Sequence, residues 1–309
     1  LSSRAALSGR VLYLDAPIAD RPLLPGDHWS AWSAELPPEG SWDVCAIYLP
    51  KGKRRRDLYV AWAAARAPQL FVVGEKRAGI KGVAKALRSV GRARNMGHGN
   101  HCQLVSCVFE HLGDPVDLGD WSASFDVAAN GVSTRSFVTL PGVFSDGRLD
   151  FASQMMLGAL TAPAPAHTEW AKARVLDVGC GAGVLGVTLA QLGARTMCVD
   201  VDALALESTR RNASQDRVEV RFSDVYSGVR GETFDHIVTN PPFHQGVGTE
   251  YETTRRIVAE AKDHLRPGGH LWVVANRFLP WREAMESALG PVDVLAESTK
   301  FVVWRAARS

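Results

Sequence analysis

The sequence predicts an α/β protein made of two tandem open-sheet domains, the N-terminal one degenerate and trimmed. Three observations carry this: a strand, glycine-rich turn and helix beginning at residue 173, an Asn-Pro-Pro-Phe turn closing a later strand, and an internal repeat that sets the first half beside the second.

The stretch ARVLDVGCGAGVLGVTLAQLGARTMCVDVDALALESTRRN, residues 173 to 212, reads as strand, turn, helix, strand and helix. Val175, Leu176 and Val178 make a short buried strand, Gly179, Gly181 and Gly183 punctuate the turn, and Val184 to Leu192 carry apolar residues at helical spacing. Glycines in such a turn permit tight curvature and let the backbone approach a ligand. Acids mark the strand ends: Asp177 just before the glycines, Asp200 closing TMCVD, and Asp224 in VRFSDVYS. In an open α/β sheet these ends line the ligand crevice, so Asp200 suits ribose hydroxyls and Asp224 an adenine amino group. A nicotinamide site fits less well, because the loop GCGAGVLG is led by Asp and no dehydrogenase acid–base pair accompanies it.

FDHIVTNPPF, residues 234 to 243, ends a fourth strand on the same edge. Asn240 supplies an amide able to accept from an amino group. Pro241 and Pro242 stiffen the backbone and remove two donors, and Phe243 offers a flat face on which a base can stack. Taken alone the tetrapeptide also reads as a plain turn, since Asn and Pro are common there. Beside the glycine loop and its acids it reads as part of one cleft.

The repeat supplies the other half. WDVCAIYLPK at 42 to 51 aligns with FDHIVTNPPF, and LFVVGEKRAGIKGVAKAL at 70 to 87 aligns with LWVVANRFLPWREAMESAL from 271 onward. A helical stretch lies between the members of each pair, DLYVAWAAARAP in the first half and TTRRIVAEAKDHLRPGG in the second. A terminal strand follows each, HCQLVSCVFEH and KFVVWRAARS. Tyr48 and Leu49 stand where Asn240 and Pro241 stand, and RVLYLDAPIAD at 10 to 20 has no glycine loop. The first copy is expected to keep the sheet, lose the site and be trimmed at its start.

At 309 residues the chain is long enough for two domains with sizeable cores. It has no apolar run that would cross a bilayer, and its start lacks a secretory core, so a cytosolic protein is expected. The cysteines are odd in number and scattered, Cys45, Cys102, Cys107, Cys180 and Cys198, which predicts reduced thiols. The cluster of His98, His101, Cys102, Cys107 and His111 lacks a paired CxxC and sits in strand-like alternation, so no metal site is expected. Residues 51 to 112 hold thirteen Lys or Arg against three Asp or Glu; with a net charge of +2 overall, an excess of ten there leaves −8 for the rest. Such a block on an acidic chain points to a polyanionic partner, with Lys51, Lys53, Arg54, Arg55 and Arg56 as its densest part, although a run of this kind also reads as a solvated face.

On these motifs the sequence resembles the class I S-adenosylmethionine-dependent methyltransferases, specifically those acting on exocyclic amino nitrogens. The resemblance covers residues 136 to 309. It implies that Asp177, Gly179, Gly181 and Gly183 line the methionine part of S-adenosyl-L-methionine, that Asp200 takes the ribose and Asp224 with Val225 the adenine side, and that Asn240, Pro241, Pro242 and Phe243 hold the target amino group. A degenerate copy ahead of an active one narrows the likeness to bacterial ribosomal RNA guanine-N2 methyltransferases. TLPGVFSDGRLDFASQMMLGAL at 139 to 160 and NPPFHQG are similar to the small-subunit, or 16S, methyltransferase C family more than to its large-subunit relative. There the segment from Phe144 to Gln154 folds over the cofactor. The resemblance implies two Rossmann-like methyltransferase domains, 1–118 degenerate and RNA-binding, 119–309 catalytic, in a monomer acting on 16S rRNA of the 30S subunit. His244 reads equally as a proton relay or a surface histidine. Rival expectations are a large-subunit guanine-N2, adenine-N6 or glutamine-N5 methyltransferase and, from another class, a non-catalytic RNA-binding assembly factor.

Overall fold

Short runs rich in aliphatic and β-branched residues make the central strands of both sheets. A computed structural model describes residues 9–99, 101–144, 147–163, 169–213, 216–241 and 248–309. These gather into two units, Leu1–Trp121 and Ser122–Ser309.

The first unit contains β1 (Val11–Leu14), a 3-10 turn (Ile18–Leu23), β2 (Asp27–Trp29), β3 (Val44–Tyr48), α1 (Lys53–Ala64), β4 (Gln69–Glu75), α2 (Ile80–Leu87), β5 (Gly91–Gly99) and β6 (Cys102–Phe109). Its sheet runs β2-β1-β3-β4-β6-β5, antiparallel only where β6 meets β4 and β5. The strand expected from HCQLVSCVFEH is β6, and Cys107 on it is buried.

The second unit opens with a hairpin, β7 (Ala123–Val127) and β8 (Arg135–Thr139), followed by α3 (Phe151–Leu160). Then come β9 (Arg174–Val178), α4 (Val184–Gln191), β10 (Arg195–Asp200), α5 (Ala203–Asn212), β11 (Val218–Phe222), β12 (Phe234–Thr239), α6 (Gly248–His264), β13 (Leu265–Asn276), α7 (Trp281–Ala288), β14 (Val292–Glu297) and β15 (Phe301–Ala307). Its seven strands run β11-β10-β9-β12-β13-β15-β14, with β15 antiparallel to both neighbours.

Removing β11 from the second order leaves the order of the first. The repeat is visible even in single hydrogen bonds: Arg10 N–H donates to Asp43 Oδ2 at 2.6 Å, and the aligned Arg174 N–H donates to Asp235 Oδ2 at 2.7 Å. Residues 15–26 join β1 to β2, a shorter connection than the 179–194 that joins β9 to β10, and a 3-10 turn containing Pro22 stands where α4 stands in the second copy. The trimming is therefore one edge strand, the counterpart of β11, and the counterparts of α4 and α5. In the second unit Leu176, Ile237, Leu271 and Val273 of the central strands pack against Ile257, Val258 and Ala261 of α6 and Trp281 and Met285 of α7. Each such side chain stabilises the fold by about 1.5–3 kcal/mol, so the strand ends that carry the site are rigidly placed.

Candidate active site

Register brings the strand ends together. Val178 closes β9 opposite Val199 of β10 and Thr239 of β12, and Asp200 closes β10 opposite Phe222 of β11. The loops that follow these strands therefore emerge side by side.

The glycine loop is bent by three left-handed residues, Gly179, Gly181 and Gly183, with φ of 71, 57 and 78°. An L side chain resists that conformation, so glycine is required by the backbone itself. The loop is pinned by Gly179 and Cys180 N–H donating to the Val199 carbonyl at 2.8 and 3.0 Å, and by Thr209 Oγ1 donating to the Gly181 carbonyl at 2.9 Å. A Cβ placed on Gly179 would meet nothing within 4 Å, and one on Gly181 only Val143 Cγ1 at 3.9 Å. The space beside both residues is a cradle in which a ligand can touch backbone.

Asp177 is buried, and its Oδ2 accepts from Gly186 N–H at 2.9 Å, which caps the first turn of α4. Burial pushes its carboxyl up to about 7, against the lowering hydrogen bond from Gly186 and with nearby Asp200 adding to the rise. Asp200 keeps part of its surface open; its Oδ2 accepts from Gly181 N–H and its Oδ1 from Asp202 N–H, both at 3.0 Å. Its carboxyl rises to about 6, through burial first, offset by the Gly181 N–H and reinforced by Asp202. Each oxygen retains a lone pair for a further donor.

At the end of β11 both Asp224 oxygens accept from Arg256 Nη1, at 3.1 and 3.0 Å, so this half-buried acid is paired with α6. Val225 is buried with φ of 55°, a rare conformation for a β-branched residue, and its carbonyl accepts from Ser223 Oγ at 2.7 Å. Strain of that kind persists where the surroundings impose it, and functional turns are a common place for it.

Asn240 follows β12. Its Nδ2 donates to Ser153 Oγ at 2.8 Å and to Asp150 Oδ1 at 3.3 Å. A carboxylate only accepts, so the nitrogen of the amide must face Asp150 and the oxygen must face away. That oxygen, Asn240 Oδ1, is buried and has no partner among the described residues. A buried acceptor left open costs about 1–3 kcal/mol, which marks it as waiting for a donor. Asp150 also caps α3 by accepting from Ala152 and Ser153 N–H at 3.0 and 3.1 Å, so one carboxylate fixes both the helix and the amide.

Asp177, the three glycines, Asp200, Asp224, Val225, Asn240 and the buried Pro241 thus fall on one edge of one sheet. Pro242, Phe243 and His244 lie outside the described residues. Phe144 and Gln154 have exposed side chains, and neither makes a side-chain hydrogen bond to the loop or to Asn240 among the described residues. Their neighbours Val143 and Ser153 are the ones that reach the glycine loop and the amide. Asp150, Ser153 and Gly186 carried no local sequence signal.

In the first copy the equivalent edge is filled. Asp15, aligned with Gly179, keeps the left-handed φ at 58°, but its Oδ1 accepts from Ala31 N–H at 2.8 Å and its Oδ2 from Tyr59 Oη at 2.9 Å. Pro17 stands in place of Gly181, and Tyr48 in place of Asn240, half-buried with its phenol pushed up to about 12 by burial. The basic run also turns partly inward. Arg54 donates to the Trp121 carbonyl, Arg56 pairs with Asp57 at 2.6 Å, and only Lys51 and Lys53 of the five are fully exposed. Among the described residues no group of three His, Cys, Asp or Glu is placed to hold a metal, and no helix is long and apolar enough to cross a membrane.

The comparisons agree with this geometry. The methyltransferase small domain family matches residues 134–305, and its N-terminal companion domain matches residues 23–125. A ribosomal RNA small subunit methyltransferase C of Pseudomonas aeruginosa is 40% identical over 279 residues, covering 88% of this chain and 81% of its own. That of Hahella chejuensis is 35% identical over 345 residues, covering 100% and 97%. Among solved structures, a T. thermophilus 16S rRNA N2 G1207 methyltransferase in complex with AdoMet and guanosine superimposes with a TM-score of 0.81 at 24% identity, over 98% of this chain and 89% of that one, which establishes a shared fold. On the domain match and the relatives at 35–40% identity, the chain belongs to the methyltransferase small domain family, among the ribosomal RNA small subunit methyltransferase C proteins.

Proposed function

We infer that the protein transfers a methyl group from S-adenosyl-L-methionine to the exocyclic N2 of a guanine in 16S ribosomal RNA. The observation that carries the reading is the open, buried Asn240 Oδ1, its direction fixed by Asp150 and Ser153, on the same sheet edge as the glycine cradle. The cradle fits the cofactor: backbone open at Gly179 and Gly181, a half-open carboxylate at Asp200 for ribose hydroxyls, and Asp224 with the strained Val225 for the adenine edge.

Guanine N2 is a weak nucleophile because its lone pair is spread into the ring. Asn240 Oδ1 takes one amino hydrogen and the Pro241 carbonyl the other, which gathers the lone pair on nitrogen and aims it. S-adenosylmethionine, when bound, supplies a sulfonium methyl whose S–C bond breaks as the N2–C bond forms. Phe243, which follows in sequence, stacks on the base and holds it in line. The proton leaves a cationic amine, so the chain needs no strong base. A base in folded RNA must leave its stack to enter such a pocket, so the target guanine is flipped.

The first unit, with its site residues replaced and its basic excess, serves as the RNA-binding and stabilising domain, residues 1–118, ahead of the catalytic residues 119–309. The protein works as a monomer in the cytoplasm on the 30S subunit or its RNA. Incubation with labelled cofactor and either 30S particles or naked 16S RNA, followed by nucleoside analysis, tests this. N2-methylguanosine is expected. Labelled N6-methyladenosine or labelled protein would transfer the reading to another amino group, and cofactor binding without turnover would favour an assembly factor.

A further inference from the structure

Beside Asn240 the same sheet edge carries phenylalanine rings that the fold leaves exposed, Phe151 and Phe278, or half-buried, Phe301. Phe151 is the first residue of α3, two before the Ser153 that holds Asn240, and is 58% exposed. Its ring lies 6.2 Å from that of Phe301, tilted by 38°. Phe301 begins β15 and pairs with Asn276, the last residue of β13, which is the strand next to β12. Two residues beyond Asn276 comes Phe278, 76% exposed, its N–H held by Asn276 Oδ1 at 3.1 Å. Isolated exposed rings need no explanation, but rings gathered beside one site do.

The charges around them have one sign to spare. Lys300 Nζ sits 5.2 Å over the Phe301 ring, and Arg148, two residues before Asp150, is exposed; neither has a carboxylate partner among the described residues. Arg277, whose N–H donates to the Lys300 carbonyl at 3.0 Å, is matched by Glu297 at 3.1 Å and contributes no net charge. Asp150, the acid nearest the rings in sequence, is already engaged by Ala152, Ser153 and Asn240.

We propose that Phe151, Phe278 and Phe301, with Arg148 and Lys300, form a stacking platform for the single-stranded nucleotides that flank the target guanine. Flat rings of low conformational freedom accept any base on their faces, and cations without a carboxylate partner on the same segments meet the phosphates. A guanine held by its amino group alone would be held by one contact, whereas neighbours stacked on the platform keep the strand open and the flipped base in reach. The partner is thus an unpaired RNA segment and not an apolar protein surface, because the patch joins two exposed rings and a half-buried one to spare positive charge. The proposal rests on the guanine-N2 reading for its target, but not for its binding.

The test uses the full-length protein and two fluorescent single-stranded RNAs of about eight nucleotides, one with a central guanine and one with an abasic centre. Phe278→Ala and Phe151→Ala are each expected to weaken binding of both RNAs by about 5- to 150-fold, Phe278→Ala with thermal stability and S-adenosylmethionine affinity unchanged. Phe278→Trp restores binding and Phe278→Leu does not, which separates stacking from plain apolar contact. Arg148→Ala and Lys300→Ala each flatten the salt dependence, the slope falling by about 0.7 per lost phosphate contact. Wild-type affinity in both alanine variants, or full rescue by leucine, overturns the platform. The abasic RNA keeps this outcome apart from the chemistry: if the protein proves to methylate another group, ring-dependent binding of that RNA still supports the platform.

Discussion

An amide side chain has two ends of nearly equal shape and opposite hydrogen-bonding chemistry, and at Asn240 the choice between them decides whether the site can hold an amino group. Asp150 makes the choice because a carboxylate cannot donate. Asp150→Asn offers a donor as well as an acceptor and lets the amide turn over. It is expected to lower kcat by tenfold or more, about 1.5–3 kcal/mol for losing a charged acceptor, with KM for RNA little changed. Ser153→Ala, which removes one neutral partner, should cost about 1 kcal/mol in the same kcat measurement. Neither residue was readable from sequence, since they lie 90 and 87 positions from Asn240 and only the folded chain brings them to it. Asp200 supplies a second test at this scale. A carboxyl whose ionisation is raised on folding opposes the charged fold. This contribution is absent below the unfolded value near 4 and is felt fully above about 6 for Asp200 and about 7 for Asp177. The ligand-free protein therefore loses stability from these groups as pH rises through that window. Ribose hydroxyls donate best to ionised Asp200, so cofactor affinity should run the other way, falling toward tenfold per unit as pH drops below about 6. Calorimetry across that range checks it, and Asp200→Ala should abolish the slope and weaken binding by about 1.5–3 kcal/mol.

At the scale of elements, the unit built from β9, α4 and β10 shows why three glycines are legible as a turn in the sequence and a fourth is not. Gly179, Gly181 and Gly183 announce themselves by clustering in a turn between apolar runs. Gly186 sits inside α4, where glycine costs about 1 kcal/mol relative to alanine and looks like a defect. Its reason is packing across elements: an added Cβ would overlap Cys198 Sγ of β10 and come within 3.2 Å of Asp177 Cβ. Gly186→Ala is therefore expected to lower the thermal midpoint despite the better helix propensity, because overpacking typically costs about 1–3 kcal/mol. An increase in the midpoint would show that the helix can move away from the sheet without loss. The repeat was readable because strands and crossovers keep their apolar pattern after the site is gone. The size of the trimming was only partly readable, since a short parallel strand such as β2, three residues long, has too few positions to show a pattern.

For the whole molecule, the charge asymmetry and the block that carries it, residues 51–112, were readable, whereas the division of its cations between exposed and paired was not. A run of cations looks available in sequence, yet Lys53, Arg54, Arg55 and Arg56 open α1, where the helix dipole disfavours them, and two of the arginines find partners within their own unit. Besides Lys51 and Lys53, further exposed cations of the first unit lie around α2 and β5: Lys76, Lys81, Lys85, Arg88, Arg92 and Arg94, these with no carboxylate partner among the described residues. Replacing Lys81, Lys85, Arg88 and Arg92 with Ala should weaken RNA binding and reduce the salt slope by about 0.7–0.9 per contact, with cofactor affinity retained. Replacing Arg54 and Arg56 should mainly lower stability. An unchanged slope in the first variant would return that face to the role of a solvated surface.

The account as a whole depends on one acceptor atom, and Asn240→Ala tests it most directly. Turnover should be measured on 30S particles or 16S RNA with labelled cofactor, alongside thermal stability and cofactor affinity. The expected result is a loss of about a hundredfold or more in kcat, the scale of removing one preorganised polar contact to a transition state, with fold and cofactor binding intact. N2-methylguanosine formed at the wild-type rate by Asn240→Ala would contradict the account, for the turn would then be only a turn.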